Sequence, residues 1–173
     1  AAHGKSNHYK ELSPDRIAYY DRLIELDLST EKPMIALPFH PSNAYTIDEL
    51  KANAVEIFRE LDKENKDKFG KSVAFSISDK IIDGKIHVDQ GIIAGCAGGL
   101  YDNLLHAAAI LDKTSTGNSY FGLSVYPASM PIYMAITRDK TAEKLMSAGA
   151  IIKPAFCGPC FGAGDVPANQ GLS

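Results

Sequence analysis

Gly149-Ala150-Ile151-Ile152-Lys153-Pro154-Ala155-Phe156-Cys157-Gly158-Pro159-Cys160-Phe161-Gly162-Ala163-Gly164-Asp165 is the stretch whose reading fixes the rest. A short apolar run ends at a Lys-Pro break and delivers two cysteines on a turn that glycines keep almost bare of side chains. The third cysteine of the 173-residue chain, Cys96, has a similar setting, in Gly91-Ile92-Ile93-Ala94-Gly95-Cys96-Ala97-Gly98-Gly99-Leu100-Tyr101-Asp102. Both stretches read as a buried strand running into a glycine-rich loop. A pair and a single thiol on two such loops could ligate one metal centre together, which makes Cys96, Cys157 and Cys160 the candidate ligands.

Taken alone, Cys157-Gly158-Pro159-Cys160 has the sequence of a thioredoxin dithiol. A redox dithiol needs its first cysteine at a helix N-terminus, where the helix dipole favours the thiolate. Here Phe161-Gly162-Ala163-Gly164-Asp165-Val166-Pro167 follows, and glycine and proline suppress a helix. The motif also lies near the C-terminal end of a chain that has no tryptophan. The plain alternative is three unligated cysteines in tight turns.

Outward from these loops, the chain alternates strands and helices. Met34-Ile35-Ala36-Leu37 reads as a short strand closed by Pro38, and Phe39-His40-Pro41-Ser42-Asn43 as a loop. Thr46-Ile47-Asp48-Glu49 is a capping box. It opens an amphipathic helix to about Glu64, with Ile47, Leu50, Ala54, Ile57 and Leu61 on one face. The charge run from Asp62 to Lys68 reads as a solvated helix end and loop. Val73, Phe75 and Ile77 alternate as a half-buried strand does, and Asp83-Gly84 marks a turn or hairpin. Leu100 to Leu111 is a helix with Leu104, Leu105, Ala108 and Leu111 inward. Phe121 to Val125 is a strand, and Ser129 caps a helix with Pro131 in its first turn. Thr141 to Ala148 is helical and ends at Gly149. Upstream, Tyr9 to Asp27 mixes apolar and charged residues, with Ser13 and Pro14 placed as cap and first-turn residue.

This alternation implies an α/β fold: a three-layer α/β/α domain with a mostly parallel sheet and helices on both faces. In such sheets the binding crevice lies at the carboxyl ends of the strands. Cys96 and the pair Cys157 and Cys160 each follow such an end, so the topology itself argues for a shared site.

Composition bounds the rest. A chain of 173 residues is expected to form one domain. Hydrophobic content of 45% and charged content of 23% are those of a globular protein. A net charge of −3 gives no electrostatic reason for a nucleic-acid or anionic-membrane partner. No apolar run is long enough to span a bilayer, and no signal-peptide pattern opens the chain. An odd cysteine count argues against a disulfide framework and for a reducing, cytoplasmic compartment. Ala1-Ala2-His3-Gly4-Lys5-Ser6-Asn7 reads as an arm or an excision boundary.

The combined pattern resembles the aconitase family of iron–sulfur hydro-lyases, which includes isopropylmalate dehydratase and homoaconitase. The resemblance runs over roughly residues 20 to 165. It rests on Asp21-Arg22-Leu23-Ile24-Glu25-Leu26-Asp27-Leu28-Ser29 and Glu31-Lys32-Pro33-Met34, which look like the opening of that family's third domain. Pro38 and Pro41-Ser42-Asn43-Ala44 follow in the family's order. Then come Ile93-Ala94-Gly95-Cys96, Tyr101-Asp102-Asn103-Leu104, Pro127-Ala128-Ser129, Gly149-Ala150 and Cys157-Gly158-Pro159-Cys160-Phe161-Gly162. One departure stands out: Gly95-Cys96-Ala97-Gly98 replaces the family's Ser-Cys-Thr-Asn, removing polar groups expected beside the cluster.

The resemblance implies that Cys96, Cys157 and Cys160 ligate a [4Fe-4S] cluster. Three thiolates leave one iron without a protein ligand, and that iron can act as a Lewis acid. The implied reaction is hydration and dehydration of a small hydroxy polycarboxylate. In that family several substrate-binding arginines and the catalytic base lie outside the matched region. The chain has only Arg16, Arg22, Arg59 and Arg138, and it stops at Gln170-Gly171-Leu172-Ser173. It therefore reads as a cluster-bearing domain of a longer multidomain chain. That domain would be inactive alone, partnered by the parent's other domains, and able to lose its cluster in isolation. Two alternatives stay open: a non-catalytic iron–sulfur sensor or binding module, and a structural zinc domain. Zinc would want a fourth ligand, for which His40, His87 and His106 are the candidates. Asp102 and Asp165 are the nearest carboxylates in sequence to the cysteine loops and read as helix-start and turn residues.

Overall fold

The computed structural model describes residues 11–70, 75–117 and 120–167. The readings that fall on 1–10, on Val73, on Ser119 and on 168–173 lie outside the described residues.

Residues 11–33 form neither helix nor strand and are exposed throughout, despite the Ser13-Pro14 start signal. Leu12, Ile17, Leu23 and Ile24 have no core to pack on. Most helical stability in proteins comes from packing an amphipathic face, and among the described residues nothing packs on this one.

Strand β1 (Met34–Ala36) pairs antiparallel with β2 (Ala44–Thr46). The hairpin is closed by Leu37 N–H donating to the Asn43 carbonyl at 2.7 Å. Helix α1 (Ile47–Phe69) starts at the capping box: Glu49 N–H donates to Thr46 Oγ1 at 3.2 Å, and Thr46 N–H to Glu49 Oε2 at 2.9 Å. Leu50, Ile57, Phe58 and Leu61 bury the inner face of α1 against Leu37 and Ile77. The helix runs past Glu64 to Phe69, and its supposedly solvated end is partly core, because Asp62 and Asn65 are buried.

Asp62 also explains why no strand forms at Phe75–Ile77. Its carboxylate accepts from Ser76 Oγ at 2.7 Å, Ile77 N–H at 2.8 Å and Ser78 N–H at 3.1 Å. Those bonds occupy the backbone donors that a sheet ladder would need, and they start a 3-10 turn at Ile77–Lys80. Strands β3 (Ile81–Ile82) and β4 (Lys85–Ile86) make the expected hairpin. Asp83 and Gly84 both take positive φ, 50° and 72°, as a type I′ turn requires.

The remaining elements form a continuous α/β unit. They are β5 (Gln90–Ala94), α2 (Gly95–Gly98), α3 (Tyr101–Leu111), β6 (Gly122–Tyr126), α4 (Met130–Arg138), α5 (Thr141–Ser147) and β7 (Ala150–Ile152). The three strands form a parallel sheet in the order β5-β6-β7. Register aligns Ile93, Val125 and Ile152 on one face, with Leu123 and Ala150 beside them. That face packs on Leu104 and Ala108 of α3, Ile136 of α4, and Ala142 and Leu145 of α5. The α/β class and the parallel sheet are as expected, and α3, α4 and α5 share one face. By alternation the opposite face carries Gln90, Ser124, Tyr126 and Lys153. Among the described residues, it receives the coil that follows β7. No described helix is long and apolar enough to cross a membrane.

Candidate metal centre

Cys96 lies just past the end of β5. The expected loop is in fact one helical turn, α2, entered through Gly95 at φ 65°. This turn is seated on the end of β6. Ala128 N–H donates to the Gly99 carbonyl at 2.9 Å, and Asn103 Nδ2 to the Ala97 carbonyl at 2.7 Å. A Cβ at Gly99 would lie 2.2 Å from the Tyr126 carbonyl oxygen, so only glycine allows the approach.

Cys157 and Cys160 follow β7. Lys153 N–H extends the ladder by donating to the Val125 carbonyl at 2.8 Å. The chain then leaves the sheet and folds into a 3-10 turn at Pro159–Phe161. Phe161 and Ala163 N–H both donate to the Gly158 carbonyl, at 3.1 and 3.0 Å. Gly162 closes the turn at φ 79°. The turn packs against β5, the strand that leads to Cys96. All three cysteines are unbridged and exposed. No α-helix begins at Cys157, so the dithiol lacks the dipole that activates a redox pair.

A residue read from sequence as a plain turn residue fastens this segment. Asp165 accepts from Gln90 Nε2 at 2.6 Å, from Tyr126 Oη at 2.8 Å and from Lys153 Nζ at 2.6 Å. One carboxylate thus takes a donor from β5, from β6 and from the residue after β7. Lys153 Nζ also lies 5.5 Å from the centre of the Tyr126 ring, in cation–π contact. Burial alone would raise the Asp165 pKa, but the hydrogen bonds from Lys153, Ser124 and Tyr126 outweigh it and hold it at about 2. The same bond raises the Lys153 pKa. Burial first, and then the bond to Asp165, raise that of Tyr126.

Gln90, Tyr126, Lys153 and Asp165 were all missed as a set. The usable signal was parity: Gln90 and Tyr126 are polar-headed residues at opposite ends of neighbouring strands, on the face away from the apolar register. Asp102 at the start of α3 is exposed. His40, with Ser42 at 2.6 Å, and His87 and His106 are exposed as well.

Among the described residues, no three His, Cys, Asp or Glu side chains gather closely enough to hold a metal ion. A structural zinc needs four donors converging on one centre, so this donor set gives that reading no support. A cubane is a wider object whose thiolates bind separate iron corners. In donor chemistry the three exposed thiols on glycine-lined turns suit such a group.

A family model described as the Aconitase family (aconitate hydratase) matches residues 1–173. The chain is similar to the 3-isopropylmalate dehydratase large subunit of Clostridium kluyveri, at 29% identity over 154 residues, covering 89% of this chain and 29% of that protein. It is equally similar to the 3-isopropylmalate dehydratase large subunit 1 of Methanopyrus kandleri, at 29% identity over 153 residues, 88% of this chain and 28% of that protein. The corresponding subunit of Oleidesulfovibrio alaskensis matches at 28% over 162 residues, 94% of this chain and 30% of that protein. The chain thus spans under a third of the length of these relatives.

Proposed function

Because this chain belongs to the aconitase family, we propose that it is the cluster-bearing part of a hydro-lyase that acts on a small hydroxy polycarboxylate. Cys96, Cys157 and Cys160 are the thiolate ligands of a [4Fe-4S] group in this reading. When bound, that group supplies an open iron that polarises a substrate hydroxyl and carboxylate. The observation that carries the reading is that Tyr126 meets residues flanking both cysteine turns. Gly99, close after Cys96, lies against its carbonyl oxygen, and Asp165, close after Cys160, takes its hydroxyl.

The chain's own residues do the holding. Gly95, Gly99, Gly158 and Gly162 keep the approach to the thiols bare of side chains. A general base, however, needs a pKa near the working pH. Asp165, at about 2 and already taken by Gln90, Tyr126 and Lys153, is too weak a base to serve. Base and substrate clamps come from other parts of the parent protein in this reading, in a cytoplasmic setting. The exposed Leu12, Tyr19, Leu23 and Ile24 supply apolar surface suited to lying against those parts. Anaerobic reconstitution with iron and sulfide tests the proposal through the iron and acid-labile sulfide bound per chain. About one zinc per chain without labile sulfide would replace the cluster by a structural metal.

A further inference from the structure

Asp165 ties together parts of the chain that are far apart in sequence. Its side chain is 11% exposed, and its bonds reach residues 75, 39 and 12 positions away. Lys153 and Asp165 bracket the segment 154–164, which holds both Cys157 and Cys160. Lys153 is fixed at the edge of β6 by its backbone bond to Val125, so its ion pair with Asp165 closes the segment at its base. The bond from Gln90 then draws the closing residue across the sheet to β5, on the far side of β6. The 3-10 turn of Cys160 consequently packs on β5, whose end leads into Cys96. Without Asp165, the 3-10 turn's own bonds remain, while the bonds from Gln90, Tyr126 and Lys153 to the carboxylate are lost.

We propose that Asp165 is a positioning residue, the clamp that carries the Cys157–Cys160 turn across the sheet and holds it against β5, the strand that leads into the Cys96 turn, so that both turns serve one group. The part of this statement that concerns a cluster rests on the functional reading above; the clamp itself does not. Donors on both of its oxygens, Gln90 on one and Tyr126 and Lys153 on the other, fix the carboxylate as a single surface ion pair does not. An asparagine at 165 keeps the size but loses the charge and places an amide N–H₂ toward one of the donors, Gln90 or the Tyr126 and Lys153 pair.

The test uses the full chain, with Asp165→Asn, Asp165→Glu, Tyr126→Phe and, as a control, Lys80→Met, which breaks the separate ion pair with Asp89. Hydrogen exchange is followed at the amides of Phe161, Gly162 and Ala163, and at those of α3 and α5. Loss of charge-assisted bonds should speed exchange in the segment roughly tenfold or more. Amides of α3 and α5 should keep their rates in Asp165→Asn, Asp165→Glu should restore part of the protection, and Lys80→Met should change nothing there. After iron and sulfide loading, Asp165→Asn should surrender iron to a chelator faster than the parent chain. Unchanged exchange over 154–164 in Asp165→Asn, or an equal rise over α3 and α5, overturns the clamp. Should Asp165→Asn fail to fold, Tyr126→Phe decides by the same exchange criterion. If the parent chain takes up no iron and sulfide, the cluster reading falls while the exchange result still decides the clamp.

Discussion

The Tyr126 hydroxyl donates to the Asp165 carboxylate at 2.8 Å, while the carbonyl oxygen of Tyr126 sits so close to Gly99 that a Cβ there would lie 2.2 Å from it. One residue at the end of the central strand therefore meets both Gly99, which closes the Cys96 turn, and Asp165, which follows the turn of Cys157 and Cys160. Its backbone fixes the turn of Cys96, and its side chain fixes the segment of Cys157 and Cys160. The account of the site grows from that relationship.

The first expectation concerns acid. The Asp165 pKa is depressed to about 2 from an ordinary 3.8. A depressed carboxylate contributes stability that is fully present above its unfolded pKa and lost as pH falls through the folded one. Asp165 therefore stabilises the fold by about 2 kcal/mol above pH 4, and that contribution fades between about pH 4 and pH 2. Urea melts at a series of pH values should show Asp165→Asn less stable than the parent at pH 6, with the gap closing toward pH 2. A gap that stays constant over that range would show that the carboxylate is not the source.

Gly99→Ala should destabilise by about 1–3 kcal/mol, because the added methyl meets the Tyr126 carbonyl and cannot be relieved by a flexible side chain. The midpoint of a urea melt measures this. Gly84→Ala makes a useful comparison: open space surrounds it, and its cost is strain at φ 72° alone.

Asp62→Ala should cost about 2–3 kcal/mol, since it leaves the Ile77 and Ser78 amides without their acceptor. Burial raises the Asp62 pKa, but bonds from Ser78, Ser76 and Ile77 outweigh it, and the net shift is downward. This loss should therefore also shrink as pH falls below the ordinary carboxylate range. A pH-independent loss in urea melts would assign it to packing instead.

How far the sequence carried these features depends on range. Local chemistry was legible: the Thr46-to-Glu49 box, the Ser129 cap with Pro131, the Asp83-Gly84 turn and the apolar strand through Ile93 each act within a few residues and were found where expected. The parallel sheet followed from those pieces. What was not legible came from distant partners. Asp62 captures Ser76, Ile77 and Ser78 from more than a helix turn away and turns an alternating strand pattern into a 3-10 turn. Asp165 sits among glycines and reads locally as a turn residue, because its donors Gln90 and Tyr126 lie far back in the chain. The cysteines were legible as residues on turns, yet Tyr126, which meets the residues after both turns, is marked by no local pattern. Residues 11–33 show the converse: a good start signal at Ser13-Pro14 produces no helix where nothing buries it.

Turnover gives a further expectation. Cluster-loaded chain should convert citrate, isocitrate and isopropylmalate no faster than a free-cluster control. Orientation by clamps and a base supplies roughly 7 kcal/mol or more of such a barrier in favourable cases, and Asp165 is committed to structural donors. Cys96-dependent turnover in a coupled absorbance assay would require a base within this chain.

The central claim is that the two cysteine turns serve one group, and Cys96→Ser tests it most directly. Parent chain and variant are reconstituted anaerobically with iron and sulfide, and bound iron and labile sulfide are counted per chain. The account expects iron and sulfide contents near those of a cubane in the parent, and a clear loss in Cys96→Ser comparable to that in Cys157→Ser and Cys160→Ser. A Cys96→Ser chain that keeps the parent's full iron and sulfide would contradict it.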